Sequence, residues 1–210
     1  MFRRGAMHAA RVDRAQRVRA HLAESAEVSG RVAADLTGAI LAAADLVAGA
    51  FRGGGKVLLC GNGGSAADCQ HLAAEFVNRL TKEFPRPGLP AIALTTDSSV
   101  LTAVANDTGV DEIFARQVET FGRPGDVLVA ISTSGESPNV VRAVEAAHAA
   151  GLKTIALTGG GGRLAQAASV GIAVPSSSVQ HIQEAHLAIE HVLCDLVERA
   201  LFSRREDRPE

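Results

Sequence analysis

The sequence predicts an α/β fold: a five-stranded parallel sheet flanked by helices in a flavodoxin-like three-layer arrangement, with an N-terminal helical extension. Five short apolar runs are typical of strands buried on both faces. Between these runs, apolar residues recur at helical spacing, which indicates covering helices. The predicted strands are Val57–Cys60, Ala91–Leu94, Val127–Ile131, Thr154–Leu157 and Gly171–Val174. The predicted helices are Ser65–Leu80, Ser98–Ala105, Ile113–Phe121, Pro138–Ala150 and Gln180–Phe202.

The first fifty residues form the helical extension. Val32, Leu36, Ile40 and Val47 follow three- and four-residue steps, and Gly53-Gly54-Gly55 ends the pattern. We therefore predict a helical segment over 1–52, the α/β domain over 53–202 and a disordered tail over 203–210.

Composition bounds the class of protein. The chain has 210 residues, 47% of them hydrophobic, which is enough for a sizeable core. A formal net charge of −2 gives no general attraction to nucleic acid, and no apolar run approaches the length of a membrane span. Three widely spaced cysteines fit reduced thiols. We expect a cytoplasmic protein with neither nucleic acid nor membrane as a partner.

The segment from Ser132 to Ser137 is the strongest functional signal. A buried strand ends there, a helix pattern begins at Pro138, and Thr133 and Ser134 add two more hydroxyls. Free N–H groups and the dipole of a helix start favour an anion. One serine would be explained as an ordinary N-cap, but four hydroxyls in six positions favour a phosphate site. Because no lysine is present, a sugar phosphate fits better than a nucleotide.

A glycine loop follows the first strand, with Asn62, Gly63 and Gly64 at its centre. It matches the dinucleotide pattern G-x-G-x-x-A by count. That function also needs an acidic residue about 20 positions further on, whereas the next acid after the second strand is Asp97. A tight turn without a ligand is the other alternative. Asn62 and Ser65 favour contacts with sugar hydroxyls.

Polar residues on two helices are candidates for chemistry. His71 and Glu75 share a helix face at i, i+4 spacing, which suits a zinc ion or a plain surface pair. On the last helix, Gln183 could converge with His191, although Gln183, His186 and Glu190 align better on an ideal helix stripe. An exposed amphipathic helix without a ligand is the other alternative. The pair Asn106–Asp107 either ends a helix or binds sugar hydroxyls.

Four segments together resemble the sugar isomerase (SIS) domain family, and within it the bacterial phosphoheptose isomerases. These segments are CGNGGSAADCQHLAAEF (60–76), LTAVANDTGVDEIFARQV (101–118), GDVLVAISTSGESPNVVRA (125–143) and HIQEAHLAIEHVL (181–193). The resemblance covers about residues 30–202. It implies the five-stranded parallel sheet, a small sugar-phosphate substrate, and a homotetramer whose active sites lie where subunits meet, so that residues 1–52 would serve oligomerisation.

The resemblance also implies residue roles. Substrate contacts are expected from Asn62, Gly63, Gly64, Glu75, Asn106, Asp107, Ser132, Thr133, Ser134, Ser137 and Gln183. One zinc ion per subunit is expected on His71, Glu75, Gln183 and His191. The family usually has an arginine where this chain has His181, and commonly an acid where it has Gln180.

We therefore predict an isomerase that converts D-sedoheptulose 7-phosphate to D-glycero-D-manno-heptose 7-phosphate through an enediol. Glu75 is the candidate base and His191 the candidate acid, with a zinc ion that polarises the carbonyl. The alternative is a non-catalytic SIS-domain protein, which binds the replication initiator or acts as a sugar-phosphate-responsive regulator.

Overall fold

The structure, a computed structural model, describes residues 2–83 and 85–203, with side chains from Asp13 onward. Apart from Ser203, the tail predicted to be disordered (203–210) lies outside the described residues. The helices are α1 (Phe2–Asp35), α2 (Thr37–Arg52), α3 (Gly64–Val77), α4 (Ser98–Asp107), α5 (Ala115–Phe121), α6 (Pro138–Ala149), α7 (Arg163–Ala167) and α8 (Val179–Phe202), with a 3₁₀ turn at Val110–Glu112. The strands are β1 (Val57–Gly61), β2 (Ala91–Ala93), β3 (Val127–Ser132), β4 (Lys153–Gly159) and β5 (Val170–Val174).

The five strands form one parallel sheet in the order β2-β1-β3-β4-β5, so the predicted fold class is confirmed. Alternate residues of each strand face opposite layers. Val57 and Leu59 pack under α1, α2, α3 and α8, whereas Leu58 and Cys60 pack under α5, α6 and α7. The sheet is therefore covered on both faces, which explains why its central strands are continuously apolar.

The strand order places a crevice at the carboxyl ends of β1 and β3. These strands are neighbours in the sheet, and the helices that follow them, α3 and α6, lie on opposite faces. Ligands of open parallel sheets bind at such a switch point. The glycine loop after β1 and the hydroxyl-rich loop after β3 both open onto it.

The N-terminal extension consists of two helices that meet at 72°. Thr37 donates its hydroxyl to the carbonyl of Ala33 at 2.7 Å beside this break, a back-bond of the kind that bends helices. The sequence pattern did not predict the bend, because apolar spacing continues through Leu36. No single described helix is long and apolar enough to cross a membrane; only the bent pair of α1 and α2 passes that test of length and composition. The domain limits, the oligomerisation role and the cytoplasmic location stay predictions.

Candidate active site

The hydroxyl-rich loop between β3 and α6 forms a compact cradle. The Oγ of Ser132 lies 2.9 Å from that of Ser137 and 3.3 Å from that of Ser134. Ser137 is the N-cap residue of α6, yet its side chain makes no cap hydrogen bond. Its hydroxyl therefore faces the other serines, as a binding loop requires, instead of closing the helix end.

The backbone of this loop is held by a second glycine-rich loop. Gly135 has φ +67°, and a Cβ there would overlap the carbonyl oxygen of Gly161. Thr133 accepts a hydrogen bond from the N–H of Gly159 at 3.1 Å, and Gly135 accepts one from Leu164 at 3.0 Å. The segment that follows β4 thus holds the backbone of the cradle through hydrogen bonds. Glycine is needed at position 135 because of its positive φ and because a Cβ would have no space.

The glycine loop after β1 is bonded directly to the start of α6. Asn62 donates to Asn139 at 2.8 Å, and Asn139 donates back to Asn62 at 3.0 Å. Asn139 is buried and follows the cradle by two residues. The sequence does not single it out, because an asparagine in the first turn of a helix carries no functional signal by itself. The reciprocal amide pair joins two of the predicted substrate-binding loops across the crevice.

Helices α3 and α8 run parallel and bring three predicted residues together. The Nε2 atoms of His71 and His191 are 2.9 Å apart, and the two rings meet edge to face with centroids 5.0 Å apart. Glu75 Oε1 lies 3.8 Å from His71 Nε2. The carboxylate proposed as base and the imidazole proposed as acid therefore flank the same histidine.

Gln183 lies at another level of the same helix pair. Its amide packs against Gly64, where an added Cβ would overlap it. Along α8, Gln183 and His191 are eight residues apart, a rise of about 12 Å. Gln183 therefore contacts the first turn of α3, and its place beside the two histidines stays a prediction.

The other two polar candidates on α8, His186 and Glu190, face the protein core. His186 and Glu190 are fully buried. Burial, opposed by a hydrogen bond to the Thr158 carbonyl, lowers the pKa of His186 to about 4. Burial, reinforced by the charge of Asp68, raises the pKa of Glu190 to about 9. These two groups are therefore neutral core residues at pH 7, and the ligand role of Gln183 and His191 stays a prediction.

Asn106 and Asp107 form the last turn of α4, so this helix ends two residues later than predicted. Both are exposed, and Asn106 donates to Asp107 at 2.8 Å. Within the described residues, neither makes a hydrogen bond to a predicted site residue outside this pair. His181, the departure from the family pattern, is buried against α1, with its ring 4.4 Å from that of His21.

Side chains on α3 and α8 supply nitrogen and oxygen donors of the types that bind zinc. Among the described side chains, those of residues 13–83 and 85–203, no three His, Cys, Asp or Glu residues form a ready-made metal group. A tetrahedral zinc ion with bonds of about 2.0–2.1 Å holds its ligand atoms about 3.3–3.4 Å apart. The separations of 2.9 Å (His71 to His191) and 3.8 Å (His71 to Glu75) lie on either side of that value. Two imidazoles and a carboxylate are donor types that zinc binds, so the residues present suit the ion by their chemistry.

Comparison with known proteins identifies the class to which this fold and site belong. The SIS domain family model matches residues 20–159, two thirds of the sequence. The chain therefore belongs to the SIS domain family.

Relatives and solved structures narrow the class. A phosphoheptose isomerase from Rhodospirillum rubrum is 56% identical over 170 residues, which cover 80% of this chain and 89% of the relative. The structure of phosphoheptose isomerase GmhA from Neisseria gonorrhoeae aligns with a TM-score of 0.81 and 45% identity, over 87% of this chain and 97% of that one. The structure of a phosphoheptose isomerase from Francisella tularensis aligns with a TM-score of 0.83 and 41% identity, over 88% and 97%. Within the SIS family the chain thus groups with the phosphoheptose isomerases and is an isomerase enzyme; the non-catalytic alternative is not favoured.

Proposed function

We propose that this isomerase converts D-sedoheptulose 7-phosphate to D-glycero-D-manno-heptose 7-phosphate. The observation that carries the proposal is the convergence of Glu75 and His191 on His71, in a molecule that also has a hydroxyl cradle at a helix start. An aldose–ketose isomerisation needs both parts: an acid–base pair at the carbonyl end and an anchor at the phosphate end.

The cradle would bind the phosphate through hydroxyl groups and the start of α6. Ser132, Thr133, Ser134 and Ser137 offer donors without a formal positive charge, and the helix dipole favours the anion. Binding energy gained there, away from the reacting carbons, orients the sugar chain for reaction. The Asn62–Asn139 pair fixes the glycine loop beside this anchor.

Glu75 would remove a proton from C1 of the ketose while the C2 carbonyl oxygen gains one, which gives a cis-enediol. A proton then returns to C2 from an acid, and O1 loses its proton as the C1 aldehyde forms. His191 is the proposed acid, and its hydrogen bond with His71 can orient the ring and replace the proton. Acid–base groups of this kind contribute about 10²–10⁴-fold each.

We further propose one zinc ion per subunit. His71, Glu75 and His191 would hold it, with Gln183 as the predicted fourth ligand. A ring nitrogen of His191 that binds the metal cannot carry a proton at the same time, so its metal and acid roles would alternate. Bound zinc supplies Lewis acidity toward a carbonyl or enediolate oxygen. Because a carboxylate has two oxygens, Glu75 can contact a metal through one and take a proton with the other.

The acid–base roles are tested by Glu75→Gln and His191→Gln, with turnover of sedoheptulose 7-phosphate measured in each. Each variant should lose at least about 10²-fold in kcat. Glu119→Gln, at an exposed position on α5, is the matched control and should keep normal turnover. Near-normal rates in both test variants would remove these residues from the mechanism.

The phosphate anchor is tested separately, by Ser134→Ala combined with Ser137→Ala. This variant should chiefly raise KM, since it removes hydroxyls from the cradle and leaves α3 and α8 unchanged. An unchanged KM would argue against the docking site.

The proposal includes the homotetramer. An apolar groove of about 390 Å³ lies between α1, α2 and α8, lined by residues that include Val32, Ile40 and Leu196. Leu41 and Val192 on its border are 48% and 47% exposed. A subunit contact there would cover this apolar surface next to His191. Light scattering should give a mass of four chains for the native protein and a smaller mass for Leu41→Asp.

A further inference from the structure

A buried ion pair joins the far ends of α3 and α8. Arg86, in the loop between α3 and β2, donates its Nε to Glu198 Oε1 at 2.7 Å. The two side chains are 0% and 1% exposed. Glu198 Oε1 also accepts the backbone N–H of Leu80 at 3.0 Å. A fully buried charge pair is costly to form and depends on further hydrogen bonds. Here Oε1 of Glu198 accepts two hydrogen bonds, from Arg86 and Leu80, whereas its Oε2 is buried with no partner among the described residues.

The rest of the Arg86 guanidinium closes the end of α3. Its Nη2 donates to the carbonyl of Glu75 at 2.8 Å, and its Nη1 donates to the carbonyl of Phe76 at 2.8 Å and to that of Pro87 at 3.1 Å. The last carbonyls of a helix carry partial negative charge, so a cation there is favourable. Arg86 therefore holds the main chain of the proposed base itself.

The Arg86–Glu198 pair continues a row of contacts between α3 and α8 that includes the reactive side chains. Helices α3 and α8 contact at Gly64 with Gln183, and again at His71 with His191. Glu198 follows His191 by seven residues, two helical turns on nearly the same face of α8 and a rise of about 10 Å. Apolar packing alone allows parallel helices to slide by small amounts, whereas a rigid fork bonded to both helices opposes sliding along their axes.

We propose that Arg86 and Glu198 form a positioning pair, which fixes α3 against α8 and holds the acid–base side chains at their working separation. Neither residue touches the reacting atoms. The expected loss of kcat in variants of this pair rests on the proposed function, whereas the expected change in the distance between His71 and His191 does not.

The first test is steady-state kinetics with sedoheptulose 7-phosphate for Arg86→Lys and Glu198→Gln. Arginine uses three separate nitrogens to reach Glu198 and the carbonyls of Glu75 and Phe76. Lysine keeps the charge but has a single nitrogen, which cannot take the place of all three. We expect kcat to fall by about 10- to 100-fold, since displacements near 1 Å have that effect, and KM to stay within about twofold because the cradle lies on β3 and α6. The double variant should be no worse than the poorer single variant, since the two residues act as one unit. Arg199→Lys, on the neighbouring exposed position of α8, is the control and should leave kcat and KM unchanged.

The second test is independent of turnover. Crystal structures of chelator-treated wild type and Arg86→Lys should show the separation of the His71 and His191 Nε2 atoms lengthened from 2.9 Å to beyond hydrogen-bond reach in the variant. A variant that loses thermal stability but keeps both this separation and kcat would overturn the proposal, because the pair would then be merely structural. Absence of turnover in the wild type would refute the proposed function, while the two crystal structures would still decide the positioning role.

Discussion

Replacement of His186 by glutamine should change how stability depends on pH. His186 is fully buried on α8, its Nε2 lies 3.2 Å from the Thr158 carbonyl, and its Nδ1 has no partner within the described residues. Burial lowers its pKa from 6.5 to about 4, against the smaller effect of the Thr158 hydrogen bond. As the pH falls, His186 therefore gains its proton near pH 6.5 in the unfolded chain but only near pH 4 in the folded chain.

The sign and size of the effect follow from this difference. Between pH 6.5 and 4 the unfolded state holds more protons, so folding stability falls as pH falls. At about 1.36 kcal/mol per pH unit, the loss is about 2 kcal/mol at pH 5 and about 3 kcal/mol at pH 4. Glutamine cannot titrate but can still donate to Thr158. The variant should be less stable than wild type at pH 7 through poorer packing, and should recover about 3 kcal/mol relative to wild type by pH 4.

The assay is urea unfolding at pH 7, 5 and 4, followed by circular dichroism at one protein concentration. The control is Thr120→Ser, at an exposed position on α5. Neither hydroxyl titrates in this pH range, so its difference from wild type should change by less than about 0.5 kcal/mol between the three pH values. A His186→Gln difference that is the same at all three pH values would refute the reasoning, since it would mean that the buried imidazole gains its proton as readily as in the unfolded chain.

Three further substitutions or measurements test the site and its surroundings. Gly64→Ala should displace the flexible Gln183 amide that occupies the Cβ position, and lower turnover by about 10-fold or more with little change in melting temperature. Gly135→Ala should cost about 1–3 kcal/mol in unfolding free energy and raise KM, because φ is +67° and the Gly161 carbonyl fills the space. Burial raises the pKa of every thiol, so a thiol reagent should label the native protein very slowly and all three cysteines after unfolding in urea. These thiols are Cys60, Cys69 and Cys194.

Much of the fold could be predicted because its signals are local. All five strands begin within one residue of the predicted starts, since each is a short apolar run. The five-residue helix α7 was missed, because the glycines before it indicate only a loop and one buried residue, Leu164, gives no periodicity. The bend between α1 and α2 was missed for the opposite reason: apolar spacing passes through it unbroken.

The site divides in the same way. The cradle from Ser132 to Ser137 is six consecutive residues, so composition alone pointed to it. Spacing on α8 left the choice open, because Gln183, His186 and Glu190 align on one helix stripe; the structure places His186 and Glu190 in the core. Asn139 and Arg86 carried no local signal, because a helical asparagine and a loop arginine acquire a role only when distant segments meet.

The two ends of the proposed site therefore depend on different kinds of structure. The phosphate end is one loop, and hydrogen bonds from the next loop and the first turn of α6 fix its shape. The reaction end joins His71 and His191, which are 120 residues apart in the chain and lie on two helices that share no strand or turn. Nothing in local backbone geometry sets that separation, so it has to come from packing and from bonds between the helices. The buried Arg86–Glu198 pair is such a bond, and Arg86 also holds the main chain of Glu75. For this reason we expect Arg86, although it is remote from the reacting carbons, to affect kcat and not substrate affinity.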